Sequence, residues 1–297
     1  MALIIPNNYP ITDLLREQGI TCIEKQITET QAQHMLRIGI FNVMPEAEKY
    51  EFSILRSIGN SNISVIPAWI RATNHNYKSS DKDYIKQWYL TFEEAIKNEP
   101  LDGLIITGAP VETIPFEAVT YWKELLEIFS YANTNIVSTL GICWGGLAIA
   151  KIFGVEKINY AKKLFGVYAS KNLNRNHPIT DGLNDTFYCP QSRYAGFNEN
   201  DLRIAADAGK INLLAHSEEA GHFIFESGDG RFIGHLGHHE YDAERIVFEH
   251  FRDIQKGLES APANFDVNNP KNTWWEEGNE FFARWLKSIY SKRYGGV

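Results

Sequence analysis

Cys143 stands where a thiol could act as a nucleophile. It follows the apolar, β-branched run 135–142, which is typical of a strand buried on both faces, and it precedes the helical pattern 144–154. A strand-to-helix turn lifts a side chain above the carboxyl end of a sheet, and a helix N-terminus favours thiolate. A lone cysteine is more often a small buried hydrophobe, so the nucleophile hypothesis depends on this turn and on suitable partners.

A cysteine nucleophile needs a base and a carboxylate that orients the base. The stretch GHLGHHEYDAER, 234–245, offers both. We predict a strand that ends in His238, His239 and Glu240, in which alternation places His238 and Glu240 on one side and His239 on the other. His238 would be the general base and Glu240 would fix its tautomer. A solvated turn with incidental histidines is the alternative interpretation.

Acyl transfer also requires hydrogen-bond donors for an oxyanion. We expect one donor to be the backbone N–H of Trp144, at the start of the helix after the cysteine. The loop TGAPVE, 107–112, would supply a second from near Ala109, although the same loop also fits an ordinary Gly-Pro turn.

The histidine cluster raises the question of a metal. His235, His238 and His239 lie close together with Glu240, which are residue types that bind zinc. No HExxH helix or cysteine pair accompanies them, so we expect no metal site.

Composition excludes several classes of protein. A net charge of −8 gives no basic field, which argues against a nucleic-acid partner. The N-terminus lacks the pattern of a signal peptide, and no apolar run reaches membrane-spanning length, so we expect no membrane association and a cytoplasmic location. The cysteines Cys22, Cys143 and Cys189 are odd in number and widely spaced, which argues against a disulfide framework.

Strand and helix patterns alternate through the first half of the chain. Strands are predicted at 37–44, 62–70, 101–108 and 135–142, with helices at 48–59, 83–98 and 117–132. This alternation indicates an α/β fold, a flavodoxin-like doubly wound parallel sheet whose ligands bind beyond the carboxyl ends of the strands.

The second half of the chain changes pattern. Shorter strands are predicted at 163–168, 185–190, 211–217, 222–227 and 231–238, followed by helices at 242–258 and 273–290. Polar turns between these strands indicate mixed or antiparallel additions at one edge of the sheet. We expect one domain over 1–297, with an N-terminal extension (1–36), a catalytic core (37–257) and a C-terminal loop and helix (258–297).

Several short segments, in order over nearly the whole chain, carry a family resemblance. They are FNVMP (41–45), DGLIITGAPVE (102–112), YW (121–122), STLGICWG (138–145), KLFGVY (163–168), PQSRYA (190–195), SEEAG (217–221), GHHEYDAE (237–244), FRDIQKGL (251–258), and Trp274 followed by GN (278–279). Together they resemble the homoserine O-acyltransferase family of methionine biosynthesis, often named homoserine O-succinyltransferase. That family is similar in fold to class I glutamine amidotransferases and has a Cys/His/Glu centre.

The resemblance implies ping-pong acyl transfer with no bound cofactor. Cys143 would take the acyl group from acyl-coenzyme A, and His238, oriented by Glu240, would activate the hydroxyl of an amino-acid acceptor. Three further positions match substrate-binding residues of the family: Arg252, which should pair with the acceptor carboxylate, Lys163 and Ser192.

Glu112 matches the family position that discriminates acyl groups. In the family, glycine there accompanies succinyl transfer and glutamate accompanies acetyl transfer. A carboxylate would repel the distal carboxylate of succinyl and fill its space, so acetyl-CoA is the expected co-substrate.

The chain departs from the family pattern at several positions around the acceptor site or the CoA entry. Glu46 and Ala47 replace a lysine pair, His239 replaces a proline, and Trp275 replaces an arginine. Homoserine is the expected acceptor, and L-serine is the alternative because one methylene gives only about 1–3 kcal/mol of discrimination.

The sequence alone leaves three alternative functions open. They are a succinyl-CoA donor, a glutaminase or amidase built on the Cys/His/Glu centre, and a binding module that has lost activity. A homodimer is expected because dimers are common in this family and among soluble enzymes.

Overall fold

The structure is a computed structural model that describes residues 2–24 and 34–295. By its internal contacts the chain divides into two compact units. The first unit comprises Met1–Pro110, Ile114–Leu140 and Phe282–Val297, and the second comprises Val111–Thr113 and Gly141–Phe281.

The described residues form strands and helices in the following order. The strands are β1 (Leu3–Ile5), β2 (Cys22–Glu24), β3 (Leu36–Phe41), β4 (Val65–Ile70), β5 (Gly103–Ile106), β6 (Ser138–Ile142), β7 (Lys157–Asn172), β8 (Thr186–Phe197), β9 (Ile211–Ser217), β10 (Gly221–Ser227) and β11 (Phe232–His235). The helices are α1 (Thr12–Glu17), α2 (Ala47–Gly59), α3 (Lys82–Trp88), α4 (Phe92–Asn98), α5 (Trp122–Asn135), α6 (Trp144–Ile152), α7 (Glu199–Asp207), α8 (Ala243–Gln255) and α9 (Trp275–Tyr294).

The strands of the first unit lie in the order β2-β1-β4-β3-β5-β6. The pairings from β2 through β5 are parallel, as the alternation of strands and helices predicts. Strands β5 and β6 are buried at every position, which explains their nearly continuous apolar sequences. Residues 2–24, expected to lie in an extension, contribute β1 and β2 to this sheet.

The strands of the second unit lie in the order β11-β10-β9-β7-β8, and their pairings are antiparallel. Strands β7 and β8 form a long hairpin in which Phe165 lies opposite Ser192. Both strands are longer than the predicted runs, because polar residues at the exposed ends of a hairpin hide the strand pattern.

Local capping changes one predicted element of the first unit. The single helix expected over 83–98 is two helices, α3 and α4, because Thr91 starts a new one. The Thr91 side chain accepts a hydrogen bond from the Glu94 backbone N–H, and the Glu94 carboxylate accepts one from the Thr91 backbone N–H. This reciprocal pair is a capping box, which stabilises a helix start.

Two further expectations can be compared with the described part of the chain. All three cysteines are free and buried. Within residues 2–24 and 34–295, no helix has both the length and the hydropathy needed to cross a bilayer.

Candidate active site

Cys143 occupies the turn between β6 and α6 in a strained backbone conformation. Its φ is 51° and its ψ is −112°, a region that non-glycine residues rarely adopt. Its backbone N–H donates to the carbonyl of His235, the last residue of β11, at 2.8 Å. Strain of this kind persists only where the surroundings fix it, and it is common at nucleophiles on strand-to-helix turns.

The glycines around the cysteine are required by close backbone approach. A side chain on Gly141 would place its Cβ 2.3 Å from the carbonyl oxygen of Gly145, which no real contact allows. A Cβ on Gly146 would lie 3.0 Å from the backbone nitrogen of His235. The stretch GICWGG therefore has small residues where the strand, the turn and the helix meet.

His238 and Glu240 form a buried pair. The Nδ1 atom of His238 lies 2.7 Å from a carboxylate oxygen of Glu240, and both side chains are almost fully buried. The strand predicted through these residues is wrong, because β11 ends at His235 and 238–240 form a turn. The backbone N–H of His238 donates to the Pro190 carbonyl at 2.9 Å, which fixes this turn against β8.

The surroundings of His238 favour its charged form. Burial disfavours the imidazolium, but the Glu240 carboxylate and Cys143, each with a hydrogen bond to the ring, raise the pKa of His238 to about 10. The Tyr241 ring stacks on the imidazole with 4.1 Å between ring centroids. Because Nδ1 faces Glu240, the Nε2 side of the ring is the side available to Cys143.

The two expected oxyanion donors lie in different units. Trp144 is the first residue of α6, where backbone N–H groups point out of the helix N-terminus rather than to an intrahelical carbonyl. Ala109 is buried in the first unit, shortly after β5.

Lys163 and Ser192 meet at Glu249, a residue that the sequence analysis did not single out. The ammonium of Lys163 lies 3.0 Å from Glu249 Oε2, and the Ser192 hydroxyl donates to the same oxygen. The Tyr241 hydroxyl donates to Glu249 Oε1 at 3.0 Å. Since Tyr241 also stacks on His238, continuous contacts join the His238–Glu240 pair to these two predicted substrate-binding positions.

Arg252 reaches the same network through Asp253. Its guanidinium lies 2.7 Å from Asp253 Oδ1 and 3.6 Å from Glu249 Oε2, and about a third of its side chain, 32%, is exposed. Asp253 also binds the Lys163 ammonium at 2.7 Å. The structure therefore brings Lys163, Ser192 and Arg252 together around two buried carboxylates.

Glu249 is held in its ionised form. Burial alone would favour the neutral acid, but Lys163, Arg245 and Arg252, with the Ser192 hydroxyl, lower the pKa of Glu249 to about 2. A pattern in the sequence marks this residue, because Ala243, Ile246 and Glu249 follow helical spacing along the buried face of α8. A carboxylate on a buried face requires partners.

Glu112 is buried in the second unit. One of its carboxylate oxygens accepts a hydrogen bond from the backbone N–H of Tyr194 at 3.3 Å. Tyr194, Lys163 and Phe165 line an open cleft of about 360 Å³. The predicted acyl-discriminating residue therefore contacts the backbone of a residue in the wall of this cleft.

The positions that depart from the family pattern lie in both units. Glu46 precedes α2 with a φ of 50° and contacts Lys49, while Ala47 is the buried first residue of that helix. Trp275 begins α9. His239 points away from the His238–Glu240 pair, and its Nδ1 lies 2.9 Å from His235 Nε2.

Solved structures similar to this chain support the fold prediction. A glutamine amidotransferase from Thermotoga maritima is 16% identical with a TM-score of 0.53, and the match covers 88% of this chain and 98% of that chain. The glutaminase domain of Trypanosoma brucei CTPS is 10% identical with a TM-score of 0.52, covering 86% of this chain and 94% of that chain. At such identities the likeness concerns the fold alone, and it confirms the class I glutamine amidotransferase-like α/β fold.

Sequence relatives are much more similar to this chain. The homoserine O-acetyltransferase of Clostridium acetobutylicum is 38% identical over 293 residues, which cover 96% of this chain and 96% of the relative. The enzyme of the same name from Lysinibacillus sphaericus is 37% identical over 96% of this chain and 93% of its own. The family model described as Homoserine O-succinyltransferase matches residues 2–294. With that match over nearly the whole chain, the protein belongs to the homoserine O-succinyltransferase family.

Proposed function

We propose that this protein is an acetyl-CoA-dependent O-acetyltransferase that acts on the side-chain hydroxyl of L-homoserine through an acyl-cysteine intermediate. The observation that carries the proposal is Cys143 in a strained turn at a helix N-terminus, within reach of the buried His238–Glu240 pair. Relatives that share 37–38% of their residues with this chain and are named homoserine O-acetyltransferases support the same reaction.

In the first half-reaction the thiolate of Cys143 attacks the thioester carbonyl of acetyl-CoA. The oxyanion that develops would accept a hydrogen bond from the backbone N–H of Trp144. The carbon–sulfur bond to CoA breaks, and the His238 imidazolium gives its proton to the departing CoA thiolate. Acetyl-Cys143 and a neutral His238 are the products.

In the second half-reaction His238 acts as a base. It takes the proton of the acceptor hydroxyl as the oxygen attacks the acetyl carbonyl, and the bond to Cys143 then breaks. The enzyme returns to the thiolate–imidazolium pair, so protons balance over the cycle. Glu240 holds Nδ1–H of His238 throughout, which keeps Nε2 directed at the reacting atoms.

The network around Glu249 is the proposed acceptor site. Arg252 would bind the acceptor α-carboxylate through the exposed part of its guanidinium, while Asp253 holds the remainder. Lys163 and Ser192 are fixed by Glu249, so their positions do not depend on bound substrate.

Acetyl-CoA is the proposed donor because of Glu112. Its side chain is buried and accepts a hydrogen bond from the Tyr194 backbone N–H, which favours the position it occupies over one that would admit a second carboxylate. Succinyl would bring an additional negative charge to this point.

The decisive experiment measures CoA release by chromatography from acetyl-CoA with L-homoserine, L-serine, L-glutamine or no acceptor. We expect fastest release with homoserine and an acetyl group on Cys143 by mass spectrometry when no acceptor is present. Cys143→Ser should lose both signals, whereas Cys22→Ser, which changes another buried cysteine, should keep them.

Each alternative outcome has a defined meaning. Faster release with serine would contradict the proposed acceptor and keep the mechanism. Ammonia from glutamine without acyl transfer would indicate a glutaminase, and the absence of any acetyl-enzyme would contradict the mechanism. A cytoplasmic homodimer is part of this proposal, and sedimentation of the purified protein at a monomeric mass would refute the dimer.

A further inference from the structure

A buried group of three metal-ligating side chains lies next to the His238–Glu240 turn. Cys189 comes from β8, His235 ends β11, and His239 belongs to the turn. One ligand atom from each residue lies within 4.8 Å of the other two, and all three residues are buried. The proposed acyl transfer uses none of them.

The spacing of these atoms approaches that of three ligands on one zinc ion. His235 Nε2 and His239 Nδ1 are 2.9 Å apart, whereas two nitrogen ligands on one zinc ion are separated by about 3.3 Å. A sulfur and a nitrogen ligand are about 3.6 Å apart on such an ion, so the thiol, which lies within 4.8 Å of both nitrogens, would have to approach by about 1.2 Å at most. Adjustments of this size need side-chain rotation rather than a change of fold.

The hydrogen bonds around the cluster direct a lone pair into it. His239 Nε2 lies 3.2 Å from the Tyr188 carbonyl, which only accepts, so Nε2 carries the proton and Nδ1 presents its lone pair towards His235. Metal-bound histidines are typically oriented in this way by a backbone carbonyl on the far nitrogen.

Gln191 supplies a second and independent observation. Its side chain is almost fully buried, and within the described residues its Nε2 makes no hydrogen bond. A Cβ on Gly237 would lie 2.3 Å from Cys189 Sγ and 2.8 Å from Gln191 Nε2, so both atoms face the same small space. An unpartnered amide donor beside a thiol is suited to stabilise a metal-bound thiolate.

We propose that Cys189, His235 and His239 bind one Zn²⁺ ion. The sequence predicts no metal site because neither an HExxH helix nor a cysteine pair accompanies the histidines, but the fold brings Cys189 to them from β8. Binding releases the thiol proton of Cys189 to solvent, and the proton on His235 Nε2 moves to Nδ1 so that Nε2 can bind the metal. The ion would join β8 to the turn that carries His238 and Glu240 and so stabilise that turn.

The test uses the full-length protein, reduced and treated with a chelator, then loaded with ZnCl₂ and separated from unbound metal by gel filtration. Metal analysis should find one zinc per chain in the wild type. Zinc should raise the melting temperature by about 3 °C or more, as expected for tight binding to the folded state. Cobalt should give a thiolate charge-transfer band in the near ultraviolet.

Four variants locate the ion. Cys189→Ala and His239→Pro, the latter restoring the residue usual in the family, should both lose the zinc and the cobalt band. Cys143→Ser should keep both, which separates this site from the proposed nucleophile. His222→Gln should also keep the zinc, and it controls for binding by the His216–His222 pair, whose rings are 4.6 Å apart.

Circular dichroism shows whether each variant is folded. Because Cys189→Ala and His239→Pro each remove one proposed ligand, the test still works if one of these two variants does not fold. Zinc retained at the wild-type level by folded Cys189→Ala or His239→Pro would overturn the proposal. So would a wild type that retains no zinc, or zinc lost only in Cys143→Ser. The test measures metal binding and does not measure acetyl transfer. Its result is therefore valid even if the proposed function is wrong.

Discussion

Replacing Glu249 by glutamine would test the electrostatic network that holds the proposed acceptor site. The carboxylate accepts hydrogen bonds from Ser192 and Tyr241 and faces the ammonium of Lys163. Glutamine keeps the size of the side chain but removes the charge, so Lys163 is left with Asp253 alone among these carboxylates. Breaking a buried ion pair from one side is strongly destabilising because the remaining charge is poorly compensated.

The magnitude follows from the pKa of Glu249. A fall from the ordinary value of 4.5 to about 2 corresponds to about 3 kcal/mol of stability at neutral pH. Because the folded-state pKa lies below the unfolded-state value, this contribution is complete above about pH 4.5 and is lost as the pH falls towards 2. At pH 3.5 it should be about 2 kcal/mol.

The assay is urea unfolding of the wild type and of Glu249→Gln, followed by circular dichroism at pH 7 and pH 3.5. We expect the variant to be less stable by about 3 kcal/mol at pH 7, with a smaller difference at pH 3.5. Glu244→Gln, which changes an exposed carboxylate on the same helix, should alter stability by less than about 0.5 kcal/mol. A difference below about 1 kcal/mol at pH 7, or one that does not narrow in acid, would refute the assignment of Glu249 as the ionised centre of the network.

Two further predictions concern the reaction. Glu240→Gln should lower kcat for acetyl transfer to homoserine on the order of 100-fold, because Nδ1 of His238 loses the carboxylate that orients and stabilises the imidazolium. Steady-state kinetics will measure the change in kcat, with Glu244→Gln as the control variant. A wild-type kcat in Glu240→Gln would show that Glu240 has no part in the mechanism. Glu112→Gly should raise the kcat/KM for succinyl-CoA relative to acetyl-CoA, because it removes a buried carboxylate and opens space. An unchanged ratio would show that charge repulsion at this position does not select the donor.

The local features of the site could be predicted from the sequence. GICWGG marks a strand-to-helix turn because an apolar run meets glycines and then a helical pattern, and the structure places Cys143 in that turn. The His238–Glu240 contact was also expected, but for a different reason. An extended strand places residues two apart on the same side, and so does the observed turn at 238–240. The contact between His238 and Glu240 therefore does not reveal whether these residues form a strand or a turn.

The remaining features depend on contacts between distant segments. Glu249 is recognisable as a buried carboxylate on α8, yet its partners Lys163 and Ser192 come from β7 and β8, which place them 86 and 57 residues earlier, respectively. Cys189 meets two histidines only because the turn after β11 lies against β8. A pattern of residue spacing within one helix or one strand cannot predict the Glu249 network or the group of Cys189 with two histidines.

The two faces of strand β8 make different contacts. This difference limits which insertions and deletions the coding sequence of the strand can tolerate. Cys189 and Gln191 lie on the face beside Gly237, while Ser192 reaches Glu249 from the other face. Deleting or inserting one codon within this strand would exchange the two faces and disrupt both sets of contacts together. Length variation among descendants of this chain should therefore occur in the loop between β7 and β8, and Cys189 and Ser192 should be inherited at a fixed separation.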